Sequence, residues 1–283
     1  MSSRPNFLHI GPSKAGSTWI FKVLSWHPDV YAYPGKNLGF FSTRFDNGID
    51  WYLGHFEPEP QHKAIGEVSH SYLVSPEAPA RIREFLPDAK LMVCLREPVE
   101  RTFSDYLDSI KNGKFEGSLD DALEQRPSLI NKSRYGEQIE RYLQHFDRSQ
   151  IHIGSFDELK AAPDRFAAKI FDFLEIAPLE IPDEIKGKML PAATPRVRGV
   201  AMGAKRVSRL ARNLGLRGLR GKLKTSRTVR NMLYRPFDEE TKPVMPPDVQ
   251  DRLRGLFADE VQRLDKVAGT DFCGLWDYPR GGE

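Results

Sequence analysis

The sequence contains only two cysteines, Cys94 and Cys273, in 283 residues. Two cysteines do not form a disulfide framework, and Cys94 lies in an apolar run that favours a buried thiol. Long hydrophobic runs are also absent, because none reaches the length of a membrane span. The first residues, MSSRPNFLHIGP, lack the apolar core of a signal peptide. We therefore expect a soluble, cytoplasmic protein.

One segment has no acidic residues. From Arg196 to Arg235 there are 13 Lys and Arg, while the rest of the chain has 29 basic and 39 acidic residues. Such a segment is typical of a surface for nucleic acid, membranes or anionic substrates, or of a solvated helical face. Its only aromatic residue is Tyr234, so the stacking platforms of single-strand binders are missing. We expect no nucleic-acid partner and a peripheral membrane contact as one role for 196–235.

Hydrophobic periodicity predicts alternating strands and helices. Strands are predicted at 6–11, 30–33, 63–70, 90–95 and 150–156. Helices are predicted at 17–26, 78–85, about 98–112, 119–126, 135–146, 163–174 and 246–269. This alternation predicts an α/β fold in which helices flank a parallel sheet, followed by a helical, basic C-terminal portion.

No internal repeat or sharp boundary divides the chain, so we expect a single domain over 1–283. Within it we expect an α/β nucleotide-binding core at 1–178. A basic loop and helix insertion would follow at 179–245, and the C-terminal helix and tail at 246–283.

The stretch HIGPSKAGSTW (9–19) has the glycine spacing of a phosphate-binding loop but not its lysine position. Triphosphate-binding loops follow G-x-x-x-x-G-K-[ST]. Here Gly11 and Gly16 keep that spacing, but the lysine is Lys14. Since the loop follows a strand and opens a helix, its backbone N–H groups and the positive helix end face one point.

The polar side chains of this loop add to that positive point. Lys14 supplies charge, and Ser17 and Thr18 supply hydroxyl donors. Lysine, glycine and two hydroxyls together favour an anion site over a strand–helix turn without a ligand. The sequence therefore predicts a P-loop-like site.

A second signal follows the strand predicted at 90–95. In ATP- and GTP-binding P-loop proteins such a strand typically ends in an aspartate that helps to hold Mg²⁺. This strand ends in Arg96, which would repel a metal ion and attract a second anionic group. Ser104, in the helix that follows, could complete that second site, whereas Phe103 and Tyr106 are interpreted as packing residues. Two anion sites without a metal aspartate argue against triphosphate hydrolysis.

These two stretches together resemble the sulfotransferases that use 3′-phosphoadenosine 5′-phosphosulfate (PAPS). PSKAGSTW (12–19) is similar to their 5′-phosphosulfate loop, and LREPVERTFSDY (95–106) matches their R-x-P-x-x-R-x-x-S-x-Y motif at every fixed position. HPDV (27–30) and the region from about 242 to 276 also resemble the family, and the basic segment resembles it least. The resemblance combines features of heparan-type and cytosolic sulfotransferases.

The resemblance implies roles for individual residues. The 5′-phosphosulfate would be held by the loop residues Lys14, Ala15, Gly16, Ser17 and Thr18. Arg96 and Ser104 would hold the 3′-phosphate. Trp19 stands where cytosolic sulfotransferases stack a tryptophan on the adenine, although a core aromatic explains it equally well. Lys14 and the helix end would stabilise the charge that develops on the leaving nucleotide.

The general base is where the sequence departs from the family. In the E-x-H-[FY]-F segment of heparan-type enzymes, the glutamate and histidine are replaced here by Asn37 and Gly39. The lysine of E-K-S-P-x-Y is replaced by Val68. His70 stands near the place of the histidine in the K-T-H segment of cytosolic enzymes, and its ordinary pKa of roughly 6.5 suits proton transfer. We predict His70 as base, with Glu67 orienting it or serving instead.

Other roles stay open at the level of sequence. Lys36 could assist at the transferring sulfonate, although an exposed loop lysine explains it more simply. The other histidines show no metal-ligand spacing, so no metal is expected. The acceptor is expected to carry a hydroxyl and to be anionic or amphipathic. The alternatives are a nucleotide kinase or NTPase with a degenerate loop, and a non-catalytic binder of anions or nucleic acid.

Overall fold

The computed structural model describes residues 4–187 and 243–281, together with the backbone at 193–195 and 234–236. Its centre is a parallel sheet of five strands in the order β2-β3-β1-β4-β5. These strands are β1 (Phe7–Gly11), β2 (Val30–Ala32), β3 (Ala64–Val68), β4 (Lys90–Leu95) and β5 (Ile151–Ser155). Because the strands are parallel, the loops after all five leave from one edge, which we call the carboxyl edge.

Helices connect the strands and cover both faces of the sheet. In chain order they are α1 (Ser17–Trp26), α2 (Phe40–Thr43), α3 (Ile49–Leu53), α4 (Ala78–Phe85), α5 (Pro98–Lys111), α6 (Leu119–Gln125), α7 (Ser128–Asn131), α8 (Tyr135–Leu143), α9 (Phe156–Ala161), α10 (Pro163–Leu174), α11 (Asp183–Lys186), α12 (Pro247–Ala268) and α13 (Phe272–Trp276). Two short antiparallel strands, β6 (Ala193–Pro195) and β7 (Tyr234–Pro236), pair with each other.

The alternation of side chains along β1 builds two hydrophobic cores. Leu8 and Ile10 point into the core that also takes in α5, α8 and α12, while Phe7 points into the core under α1 and α10. The long C-terminal helix α12 packs on α8 and α5, so the far end of the chain completes the first core. Burial of apolar side chains on both faces is what a parallel sheet requires.

The predicted fold class is confirmed, with small changes at the ends of elements. The strand predicted at 63–70 is shorter, at Ala64–Val68, so His70 follows the strand by two residues. The predicted helix 246–269 is α12. The short helices α2, α3, α7, α9, α11 and α13 were not predicted, because each has too few turns to establish a helical periodicity. The predicted helical character of 196–235 falls almost wholly outside the described residues.

Among the described residues, no helix has the length and the apolar character needed to cross a membrane.

Candidate functional site

The loop between β1 and α1 has the shape of an anion-binding cradle. Trp19 N–H and Ile20 N–H both donate to Gly16 O, at 2.8 and 3.1 Å, so the helical hydrogen bonds begin there. The N–H groups of Ser17 and Thr18 come before that point, where a helix leaves its donors without intrahelical partners. The first turn of α1 holds no acidic residue. The positive end of α1 is therefore available to an anion.

Glycine is required at both ends of this loop. Gly16 has φ +83°, and a Cβ there would lie 2.5 Å from Leu159 Cδ2. Gly11 has φ +128°, and a Cβ there would lie 2.7 Å from the backbone oxygen of His70. The glycine spacing of the loop thus has a direct steric cause, and the end of β1 lies against the residue predicted as base. Lys14 is held at φ 72°, a left-handed conformation that costs energy for a residue with a side chain.

Lys14 reaches across the site to helix α5. Its Nζ lies 3.1 Å from Asp108 Oδ1, and both side chains are about one-third exposed. The contact places the predicted phosphosulfate lysine opposite α5, on the same side as the predicted 3′-phosphate residues. Asp108 was not singled out from the sequence.

Arg96 lies directly after β4 and touches the phosphate loop. Its Nη1 approaches Lys14 O at 3.5 Å, and its Nε donates to Glu100 Oε2 at 3.1 Å. The guanidinium also lies over the ring of Phe156, 5.0 Å from the ring centre. The two predicted anion-binding elements are thus brought together at the carboxyl edge.

Ser104 lies on the face of α5 that looks toward this loop. It stands one turn after Glu100, which binds Arg96, and one turn before Asp108, which binds Lys14. Residues four apart share a helix face, so Ser104 lies between the two contacts. Its side chain is half-buried. Arg101, from the same motif, has a different role: it is fully buried and binds Asp105, Ser133 Oγ and Leu129 O.

The indole of Trp19 is packed into the core. It is 4% exposed, its Nε1–H donates to Ile185 O at 2.9 Å, and its ring meets Phe166 edge-on at 6.0 Å. This is the core role that the sequence left open for Trp19. Stacking on an adenine stays a prediction. The predicted packing role of Tyr106 is confirmed, since it is 4% exposed and its hydroxyl donates to Gly117 O.

His70 follows β3 at the carboxyl edge, beside the phosphate loop. Its backbone N–H donates to Asn37 Oδ1 at 3.3 Å. It lines a cavity of about 110 Å³ together with Ser13 of the loop and Lys132. Burial, followed by the positive charges of Lys36 and Lys132, lowers the pKa of His70 to about 4. At neutral pH the imidazole is therefore unprotonated, and the same lowering of its pKa makes it a weaker base than an ordinary histidine.

Glu67 lies within β3 and is fully buried. Its carboxylate accepts hydrogen bonds from Ser69 Oγ and Tyr72 Oη, both at 2.5 Å. Burial raises the pKa of Glu67. Ser69 Oγ in turn accepts a bond from Gly39 N–H, so Glu67 helps to hold the segment that precedes α2. This geometry supports a structural role for Glu67, and the assignment of His70 as base stays a prediction.

Three side chains near the site were not assigned a main role from the sequence. Lys36 contacts the hydroxyls of Ser17 and Thr18, and Asp108 binds Lys14. Lys132 binds Asp105 and faces the cavity beside His70. Only Asp108 had a sequence signal, since it continues the i, i+4 row through Ser104 on α5. The other two contacts join segments that are distant along the chain.

The fold and this edge define a class: α/β proteins in which a P-loop-like turn joins the first strand to the first helix. The chain belongs to the sulfotransferase family, because the sequence model of the sulfotransferase domain matches residues 4–187. The sulfotransferase from Alicyclobacillus acidocaldarius shares the fold, with a TM-score of 0.71 and 24% identity over 97% of this chain and 99% of that one.

Two curated relatives show how far the similarity extends. The membrane-associated sulfotransferase kil1 of Dictyostelium discoideum is 34% identical over 151 residues, which cover 50% of this chain and 32% of kil1. The mouse heparan sulfate glucosamine 3-O-sulfotransferase 6 is 31% identical over 182 residues, covering 60% of this chain and 52% of that protein. The matches thus span between a third and about half of the length of these relatives.

Proposed function

We propose that this protein transfers the sulfuryl group of PAPS to a hydroxyl of an acceptor. The observation that carries the proposal is the contact between Arg96 and the phosphate loop. In an NTPase, a metal-binding carboxylate would stand at the position of Arg96. Here a guanidinium lies there instead, beside the positive end of α1 and the loop that carries Lys14. Two anion-binding points side by side fit a nucleotide with separate 3′-phosphate and 5′-phosphosulfate groups.

Two groups of residues would bind the two charged ends of this donor. Lys14, the loop N–H groups and the hydroxyls of Ser17 and Thr18 would bind the 5′-phosphosulfate. Arg96 and Ser104 would bind the 3′-phosphate. In the structure Asp108 pairs with Lys14 and Glu100 pairs with Arg96, so binding of the donor would exchange each of these carboxylates for a charged oxygen of the nucleotide.

The chemical step is a substitution at sulfur. The acceptor oxygen forms a bond to sulfur while the bond from sulfur to the bridging phosphate oxygen breaks, and that oxygen keeps the electron pair. Lys14 and the positive end of α1 stabilise the negative charge that develops there. His70, unprotonated at neutral pH, takes the proton of the attacking hydroxyl.

The acceptor class is the broader part of the proposal. A hydroxyl-bearing molecule, anionic or amphipathic, suits the cavity beside His70 because Lys132 adds a positive charge there. One relative is named as acting on a glucosamine of heparan sulfate and another as membrane-associated. For this chain, we also propose a peripheral membrane contact through 196–235 and a cytoplasmic location.

A transfer assay tests the function and the base together. PAPS labelled in its sulfonate is incubated with pooled sugar, lipid and phenolic acceptors, with the wild-type protein and with His70→Ala and Glu67→Gln. We expect transfer by the wild type and a loss of about 10²-fold or more in His70→Ala. Full transfer by His70→Ala would remove His70 from the mechanism, and no transfer from PAPS to any acceptor would count against the function itself.

A further inference from the structure

Lys36 reaches into the phosphate loop from a different strand connection. It lies between β2 and α2, and its Nζ is 3.2 Å from Ser17 Oγ and 3.0 Å from Thr18 Oγ1. Its side chain is half-buried. An ammonium is thus fixed at the first turn of α1, on the two hydroxyls assigned to the phosphosulfate.

The backbone around Lys36 is anchored, so this position is built into the fold. Tyr33 N–H donates to Gly66 O and Asn37 N–H donates to Val68 O, both at 2.8 Å. The segment therefore runs along the end of β3, with Asn37 in a left-handed conformation at φ 62°. Val68, which replaces the lysine of the E-K-S-P-x-Y segment, is itself 1% exposed in the core. Lys36, in the connection between β2 and α2, therefore supplies a cation near the end of β3.

The contact with Lys36 determines the hydrogen-bonding role of the Ser17 and Thr18 hydroxyls. An ammonium only donates hydrogen bonds, so Ser17 Oγ and Thr18 Oγ1 accept from Lys36 and keep their own protons for another acceptor. A hydroxyl that accepts from a cation becomes a stronger donor, because hydrogen bonds in a chain polarise one another. The positive end of α1 and the Lys36 ammonium thus meet at the first turn of α1, and an anion with several charged oxygens would satisfy both.

We propose that Lys36 is a catalytic residue whose ammonium contacts the transferring sulfonate of PAPS. This inference rests on the proposed function and assigns a second cation to the same site. Lys14 faces the phosphate from the loop, and Lys36 stabilises the sulfonate oxygens while sulfur exchanges one oxygen partner for another. Lys36 stays protonated throughout, since the proton of the acceptor goes to His70.

The test compares two nucleotides that differ only in the sulfonate. Affinities for PAPS and for 3′-phosphoadenosine 5′-phosphate (PAP) are measured by calorimetry for the wild type, Lys36→Gln, Lys36→Arg and Lys22→Gln. Lys22 is an exposed lysine on α1 and serves as the matched control. We expect Lys36→Gln to lower PAPS affinity about tenfold and PAP affinity less than twofold, since the lost contact is a charge-assisted hydrogen bond. Lys36→Arg should retain most of the difference.

Each other outcome has a defined meaning. An unchanged ratio of the two affinities in Lys36→Gln overturns the assignment to the sulfonate, whether both affinities fall together or neither falls. A similar ratio change in Lys22→Gln overturns it as well. If the wild type binds neither PAPS nor PAP, the proposed function fails, and this inference fails with it for that separate reason. Thermal unfolding of each variant shows whether it is folded.

Discussion

At the scale of single residues, we propose that Arg96 decides which anions the carboxyl edge can bind. It stands directly after β4 and touches Lys14 O, so its charge is part of the phosphate loop. A guanidinium cannot ligate a metal ion, but it can bind a phosphate through two parallel hydrogen bonds. In this proposal, the identity of residue 96 favours a donor with a 3′-phosphate over a triphosphate held with Mg²⁺.

We predict that Arg96→Gln selectively weakens nucleotides that carry a 3′-phosphate. Loss of a charge-assisted pair worth roughly 2 kcal/mol lowers PAP affinity about 30-fold, while affinity for adenosine 5′-monophosphate changes little. Arg165→Gln, on the exposed side of α10, is the control and should behave as the wild type. Equal losses for both nucleotides, measured by calorimetry, would contradict the assignment of Arg96.

His9 gives a prediction about acid stability. It is fully buried on β1, and within the described residues neither ring nitrogen has a hydrogen-bond partner. Burial lowers its pKa to about 3, with Lys36 as the next cause. As pH falls below about 6.5, the unfolded chain takes up the proton first, so this stability is present above pH 6.5 and is lost toward pH 3.

For His9 this effect amounts to about 2 kcal/mol between pH 7 and pH 5. We expect His9→Leu to flatten the pH dependence of the unfolding free energy by that amount, measured by urea denaturation at the two pH values. The comparison uses the change of the unfolding free energy with pH rather than its absolute value. A loss of packing in His9→Leu is the same at both pH values and therefore does not affect the result. A slope equal to that of the wild type would show that His9 is not kept neutral by burial.

At the scale of elements, the strands and long helices could be predicted from the sequence because their signals are local. The apolar run KLMVCL predicted β4, and apolar residues at helical spacing from Leu253 to Leu264 predicted α12. The anion loop was predictable too, since glycine spacing and a strand–helix context are read along the chain. The contact of Lys36 with Ser17 was not, because it depends on how the connection after β2 lies against β3.

The phosphate loop is the element where backbone conformation and binding are most closely linked. We predict that Gly16→Ala lowers the unfolding free energy by about 1–3 kcal/mol and weakens PAP binding, because the new Cβ meets Leu159 in a left-handed backbone. Gly255→Ala is the control: it lies in α12 with open space around it. That change should stabilise the protein by up to about 1 kcal/mol. Equal effects of the two substitutions in thermal unfolding would refute the prediction.

At the scale of the whole molecule, the sheet gathers the site from connections that follow different strands. The loop with Lys14 follows β1, Lys36 follows β2, His70 follows β3 and Arg96 follows β4. Parallel strands place all of these segments at one edge, so residues far apart in sequence form one charged site. The helices on the two faces of the sheet, with α12 on one of them, bury it on both sides.

We predict that the donor site binds its nucleotide without a metal ion. The most direct measurement is calorimetric titration of the wild-type protein with PAP in the presence of EDTA, compared with ATP in the presence of Mg²⁺. We expect PAP to bind with a dissociation constant in the micromolar range or below, on the order of −8 kcal/mol or more favourable, and ATP with Mg²⁺ to bind far more weakly. Tight binding of ATP with Mg²⁺ and no binding of PAP would contradict the account.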